Sequence, residues 1–198
     1  MELFSQRKGI KPVKNVMQVD NIDDDLRNGF WNALSIFYWE QMKQTLLLSS
    51  EKNIRWLFLS LWHGFFKKPI DSLNDVWTIT YQEIRKYYFN TPWFEVYDFV
   101  EFIANNYLDK STNEKFIAFC NNILEKELSA YRFIDGKITQ MTSEEEIIEI
   151  EEALETTKPL KPVSHHLKSA LDLFADRKSP DYRNSIKESI SAVEAICN

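Results

Sequence analysis

The chain has 198 residues, 44% hydrophobic and 27% charged, with a formal net charge of −6. That length builds one substantial domain, or one domain with part of another, and supplies enough apolar residues for a packed core. The acidic balance argues against non-specific nucleic-acid binding by the whole surface, and four glycines argue against an all-β fold with many tight turns.

Charge is unevenly distributed. Arg7, Lys8, Lys11 and Lys14 stand against Glu2 near the N-terminus and read as a solvated arm, whereas residues 143–155 carry seven glutamates and no base. Cys120 and Cys197 form no CxxC pair, and each sits in an apolar helical pattern as a small hydrophobe. This fits a reducing, cytoplasmic setting. The N-terminus lacks a signal-peptide apolar core. The most apolar run, IRWLFLSLWHGFF at Ile54–Phe66, is too short to span a bilayer and contains Arg55 and His63, so no membrane partner is expected.

The first long helix is predicted from about Asp23, where DDD complements the helix dipole, through DDDLRNGFWNALSIFYWEQMKQ, with Leu26, Phe30, Leu34 and Phe37 on its inner face. A second is predicted over Glu51–Phe66, with His63 as a hydrogen-bonded core histidine. A third covers about Asn74–Phe89, with Val76, Trp77, Ile84 and Tyr88 inside. Pro92 opens a fourth, WFEVYDFVEFIANNY, wet only along Glu95, Asp98 and Glu101 and therefore central. A fifth, about Thr112–Leu128, buries Phe116, Phe119, Cys120, Ile123 and Leu124. The predicted core includes Trp31, Phe37, Trp56, Trp62, Phe99, Phe102 and Phe119.

The texture then changes. AYRFIDGKITQM reads as a β-hairpin turning at Asp135-Gly136, a pair suited to two positive φ angles. Ser143 and Glu146 form a capping box that starts an acidic helix running to about Glu155. TTKPLKP follows as a linker. Two more helices are predicted to fold as an antiparallel hairpin. Val163, Leu167, Ala170, Leu171 and Phe174 line one, and Tyr182, Ile186, Ile190, Val193 and Cys197 the other, with Ser179 as cap and Pro180 in the first turn. The expected fold is mainly α: a multi-helix bundle with one short β-hairpin, then a helical hairpin. The expected divisions are 1–140, 141–158 and 159–198.

No complete catalytic constellation is visible. There is no nucleophile elbow and no glycine-rich phosphate loop. Adjacent His165 and His166 do not share a helix face, and His165 with Asp172 lacks a third metal ligand. No metal or cofactor is expected. The Glu95, Asp98, Glu101 stripe is what a solvated helix face gives, and the aromatic runs FYW, LWHGFF and YYF are core rather than a platform for stacking bases.

Two segments point further. LFSQRKGIKP and DDDLRNGFWNAL resemble the amino-terminal domain of AbiJ-type abortive-infection proteins, fourth class, over about residues 1–140. The closing stretch, HHLKSALDLFADRKSPDYRNSIKESISAVEAICN, resembles the start of a HEPN module, a helical family that includes metal-independent ribonucleases. The resemblance implies a bacterial antiphage protein whose amino-terminal part senses a phage-derived trigger, protein or nucleic acid, while the HEPN-like part acts as toxin and can pair as a homodimer. It also implies that the chain is a piece or truncation of a longer protein, because two helices are about half of such a module. HEPN ribonucleases place a histidine four to six residues beyond an Arg-polar pair. Arg183 and Asn184 match the first half, but Glu188, Ser189 and Ile190 stand where the histidine belongs. Arg183, Asn184 and Glu188 are therefore the only catalytic candidates, and an incomplete set. Two alternatives stand beside the regulatory reading: the chain itself is a metal-independent ribonuclease, or it is a helical interaction module outside defence.

Overall fold

The computed structural model describes residues 4–10, 17–42, 46–141, 152–174 and 181–197. The fold is mainly α with a two-stranded hairpin, as the helical periodicity predicts. The chain divides into two compact units, Met1–Lys137 and Ile138–Asn198.

In the first unit, α1 (Phe4–Arg7) is a single turn, and α2 (Asp24–Phe37) is the first long helix. Asp23 caps α2, its carboxylate accepting from the Leu26 amide at 2.9 Å. α2 stops earlier than its apolar pattern predicts. Tyr38 and Trp39 are adjacent and both are buried, at 0% and 5% exposure. Neighbours on a straight helix point about 100° apart, so the chain leaves the α-helix and turns through a 3₁₀ segment, Trp39–Met42.

α3 (Lys52–Ser60) runs into a π-helical turn, Leu61–Phe65, in which the Phe66 amide donates to the Leu61 carbonyl at 2.8 Å. That wider turn keeps Leu61 and Trp62 buried while Phe65 and Phe66 pack against Tyr87 and Phe99. It leaves His63 exposed, which corrects the expectation of a core histidine. Trp56 is also exposed, at 52%. Ile54, Leu57, Phe58 and Leu61 take the core stripe, and Trp56 falls on the opposite side of the helix.

α4 (Trp77–Asn90) buries Thr80, Ile84 and Tyr88, whereas Val76, ahead of the helix, is exposed and pairs with Leu47 in an isolated antiparallel bridge. α5 (Trp93–Asn106) is the central helix, burying Val96, Tyr97, Phe99, Val100, Ile103 and Ala104. α6 (Lys110–Lys126) is capped by Asp109 and buries Phe116, Cys120 and Leu124. Phe119 lies at the edge of that stripe, 38% exposed, with its ring 5.6 Å from Phe37. Of the predicted core, Trp31, Trp62 and Phe99 are buried, and Phe37 and Phe102 are half-buried.

Gln18 fastens the N-terminal segment to the end of α6. Its amide donates to the Leu128 carbonyl at 2.8 Å, its carbonyl accepts from Ala130 at 2.9 Å, and its side chain bridges the Glu127 carbonyl and the Asp23 amide, both at 2.7 Å. Every polar atom of this buried side chain is thereby satisfied.

β1 (Tyr131–Ile134) and β2 (Lys137–Gln140) are joined by Asp135 at φ 46° and Gly136 at φ 81°, the primed turn that the Asp-Gly pair predicts. In the second unit residues 152–157 are helical, and the Thr157 hydroxyl donates back to the Ala153 carbonyl at 2.6 Å. The chain turns at Lys158–Pro159 into α7 (Lys161–Phe174), and α8 (Tyr182–Cys197) follows. The capping box at Ser143 and Glu146, and Ser179 and Pro180, lie outside the described residues.

Candidate functional site

The catalytic candidates all sit near the start of α8. Asp181 caps this helix: its carboxylate accepts from the Asn184 amide at 3.0 Å and from the Asn184 side-chain nitrogen at 2.6 Å. The bond from the Asn184 amide, then that from its side chain, with smaller help from Lys187 and Arg183, holds the Asp181 carboxyl below its usual range. Asn184 is therefore part of a helix cap. Arg183 is exposed beside it.

α7 and α8 run antiparallel. The Asp181 amide donates to Leu173 at 3.0 Å and the Ser185 hydroxyl donates to the Ala170 carbonyl at 2.8 Å. One further step along the same ladder brings His166 Nδ1 to 2.7 Å from the Glu188 carboxylate, each side chain about one-third exposed at 34%. His165 lies beside it with ring centroids 5.9 Å apart. A carboxylate on Nδ1 favours the proton there and leaves Nε2 as the basic nitrogen. The fold thus gives Glu188 a histidine from the preceding helix, although none follows Arg183 in the sequence. Looking only downstream of Arg183 misses His166. The missed signal is the pairing of the predicted hairpin itself, which sets residue 166 opposite residue 188.

The other polar features are structural. Glu95 accepts from Tyr87 Oη at 2.7 Å and from the Thr91 hydroxyl. The Thr91 bond, then the Tyr87 bond, lowers its carboxyl pKa. Burial pushes the Tyr87 hydroxyl up to about 12, so it stays a donor. The aromatic runs are core. Trp31 touches Trp39, Tyr81, Tyr88 and Phe89, and Trp39 touches Phe58 and Trp77. Among the described residues no group of three metal-ligating side chains is assembled, and His165 and Asp172 are both exposed on α7. No helix among the described residues is long and apolar enough to cross a membrane.

A family model for AbiJ N-terminal domain 4 matches residues 2–156. The chain belongs to that family. No curated protein and no solved structure matches the chain at a significant level. Membership ties it to abortive infection and antiviral defence. The stretch DDDLRNGFWNAL now has a physical meaning within this AbiJ domain. Asp23 caps α2, Leu26 and Trp31 enter the core, and the Arg27 guanidinium donates to the carbonyls of Tyr88 at 2.8 Å and Thr91 at 3.0 Å, where α4 ends. A cation on the last carbonyls of a helix both satisfies them and complements the dipole. Tyr88 Oη returns a bond to the Arg27 carbonyl at 2.9 Å. Asn28 and Asn32, one turn apart, remain exposed on α2. The match ends ahead of α7, so the hairpin with His166 and Glu188 lies beyond it.

Proposed function

We propose that the AbiJ unit is the sensing and regulatory part of an antiphage protein, and that α7 and α8 belong to a HEPN-like effector that it controls. The observation that carries this reading is the family match over residues 2–156, followed by helices outside the match that pack as part of a separate compact unit. The trigger is a phage-derived protein or nucleic acid. Asn28 and Asn32 support a contact role on α2, because they belong to the family-like stretch and hold no place in the core.

The test is plaquing on a phage-sensitive bacterium expressing the chain. Abortive infection predicts fewer plaques at low phage load and collapse of the culture at high load. Asn28→Ala with Asn32→Ala should lose protection while the purified protein keeps its helical content and stability. Equal plaquing with and without the chain, across a broad phage panel, would sink the defence reading.

A second reading is favoured by one contact, the His166–Glu188 pair. In it His166 is the base at a ribose 2′-hydroxyl and Arg183 anchors the phosphate, without metal. General acid–base help of this kind is worth about 100- to 10,000-fold in rate. The assay is purified chain with a mixed RNA pool in EDTA. Cleavage lost in His166→Asn, Glu188→Gln and Arg183→Ala alike makes the chain an enzyme. RNA left intact leaves the regulatory reading alone.

A further inference from the structure

Trp56 sits on the face of α3 that the core does not use. Ile54, Leu57, Phe58 and Leu61 form the core stripe, all at 0% exposure, and Trp56 lies opposite them with about half its surface in water. Lys52 stands one turn before Trp56 and His63 two turns after it, along the same line of the helix, and both are exposed. Exposed Lys67 follows where the chain leaves the π turn.

The charge around this line is one-sided. Residues 52–69 carry Lys52, Arg55, Lys67 and Lys68 and no acid, in a chain of net charge −6. Asp75 holds Arg55 at 3.0 Å and Glu83 holds Lys68 at 2.5 Å, so acids from outside the stretch neutralise two of the four. Lys52 and Lys67 have no ion-pair partner among the described residues. Glu51, five residues before Trp56, falls about 140° round the helix from it. Lys67 adds an independent sign. Its φ is 54°, in the left-handed region where glycine fits freely and lysine is strained. The chain keeps a long cation where the backbone alone calls for glycine, next to a π turn, a distortion frequent at functional sites.

We propose that this face of α3 binds single-stranded nucleic acid, with a base stacked on Trp56 and the phosphates on either side held by Lys52, His63 and Lys67. The line from Lys52 to His63 is about 16 Å long, which suits a few nucleotides of an extended strand. The chemistry selects this partner. A helix lying on a membrane needs a wide apolar face, and α3 spends its own on the core. A protein interface needs a contiguous apolar patch, whereas Trp56 has Lys52, Ser60 and His63 along its line. A ring flanked by cations stacks any unpaired base and tracks the backbone without reading sequence, and a duplex hides the base faces it needs.

Fluorescence anisotropy of a labelled short oligothymidylate, titrated at low salt with the purified full chain, tests it. DNA lacks the 2′-hydroxyl, which keeps this readout apart from RNA cleavage. Binding is expected, weaker for the same strand in a duplex. Trp56→Ala should weaken it by about 5- to 150-fold, the loss of one base stack. Lys52→Gln and Lys67→Gln should each lower the slope of log affinity against log salt by about 0.7. Lys67→Gly removes the charge and relieves the backbone, so it should weaken binding while stability in urea is unchanged or raised. No binding at low salt overturns the proposal. So does binding indifferent to Trp56→Ala, a duplex held as tightly as the single strand, or a face that takes anionic vesicles or a protein in place of the strand. The inference does not depend on the sensing reading: a chain that protects against phage without binding the strand loses this proposal alone.

Discussion

Gly136 is where local chain chemistry and tertiary packing meet most measurably, and Gly136→Val separates them. At φ 81° the glycine occupies the left-handed region, where an L side chain costs about 1–2 kcal/mol and a β-branched one sits at the upper end. A Cβ there would also stand 2.8 Å from Asn105 Oδ1. Asn105 can swing aside, but doing so loosens the bond from its amide nitrogen to the Gly136 carbonyl at 2.7 Å, worth about 0.5–1.5 kcal/mol. Together these give a cost of about 2–3 kcal/mol. Urea unfolding followed by tryptophan emission is the assay: all six tryptophans lie between residues 31 and 93, so the signal reports on the first unit alone. Gly136→Asn keeps the added Cβ but tolerates the backbone, so it should cost visibly less. In an Asn105→Ala background the penalty of Gly136→Val should shrink toward the backbone part. A valine cost below about 0.5 kcal/mol, or one insensitive to Asn105→Ala, would refute the reasoning.

Three other substitutions probe the same unit. A Cβ on Gly29 would meet Ile123 Cγ2 at 2.8 Å where α2 crosses α6, so Gly29→Ala should destabilise by about 1–2 kcal/mol; with Ile123→Ala it should turn neutral or stabilising, since alanine outranks glycine in a helix by about 1 kcal/mol. Trp39 Nε1 is buried without a hydrogen-bond partner, so Trp39→Phe should cost less in the same urea assay than Phe58→Ala, where a cavity opens at about 3–5 kcal/mol. The Glu95 carboxyl has a folded pKa below its unfolded value near 4.5, so its contribution is complete above that value and is lost as pH falls through the folded one. Glu95→Gln should therefore flatten the acid limb of a stability–pH profile and leave its neutral-to-alkaline shape unchanged.

Periodicity and breakers carry most of the fold because their physics is local. Asp23 and Asp109 cap helices, Pro92 precedes one, and Asp135-Gly136 turns the hairpin, all from residues within a few positions of one another. What stayed illegible depends on neighbours far along the chain. The π turn at Leu61–Phe65 exists because Trp62, Phe65 and Phe66 each find ring partners, those of Phe65 and Phe66 including Tyr87 and Phe99, and it is this turn that exposes His63. Leu128 takes a left-handed φ of 53° without being glycine, because the end of α6 is fixed by Gln18 about 110 residues upstream. At the candidate site, Arg183, Asn184 and Glu188 are legible as a partial motif. The role of Asn184 as a capping partner and the approach of His166 are not, since both depend on where α8 begins and on which face meets α7.

The residues of the stretch DDDLRNGFWNAL that hold the fold and the candidate catalytic residues part company in this chain. Asp23, Leu26, Arg27 and Trp31 are occupied in holding α2 against the core and the end of α4, so replacing them damages the fold whatever the function is. In the proposed reading, function is carried by side chains the fold can spare. On the AbiJ unit these include the exposed asparagines of α2. On the hairpin they are the His166–Glu188 pair. Glu188 falls on the edge that meets α7, whereas Tyr182, Ile186, Ile190 and Val193, which their spacing places inside, face outward, because Ser185 and Ala192 let the α7 backbone come close and leave the large side chains on the adjoining side.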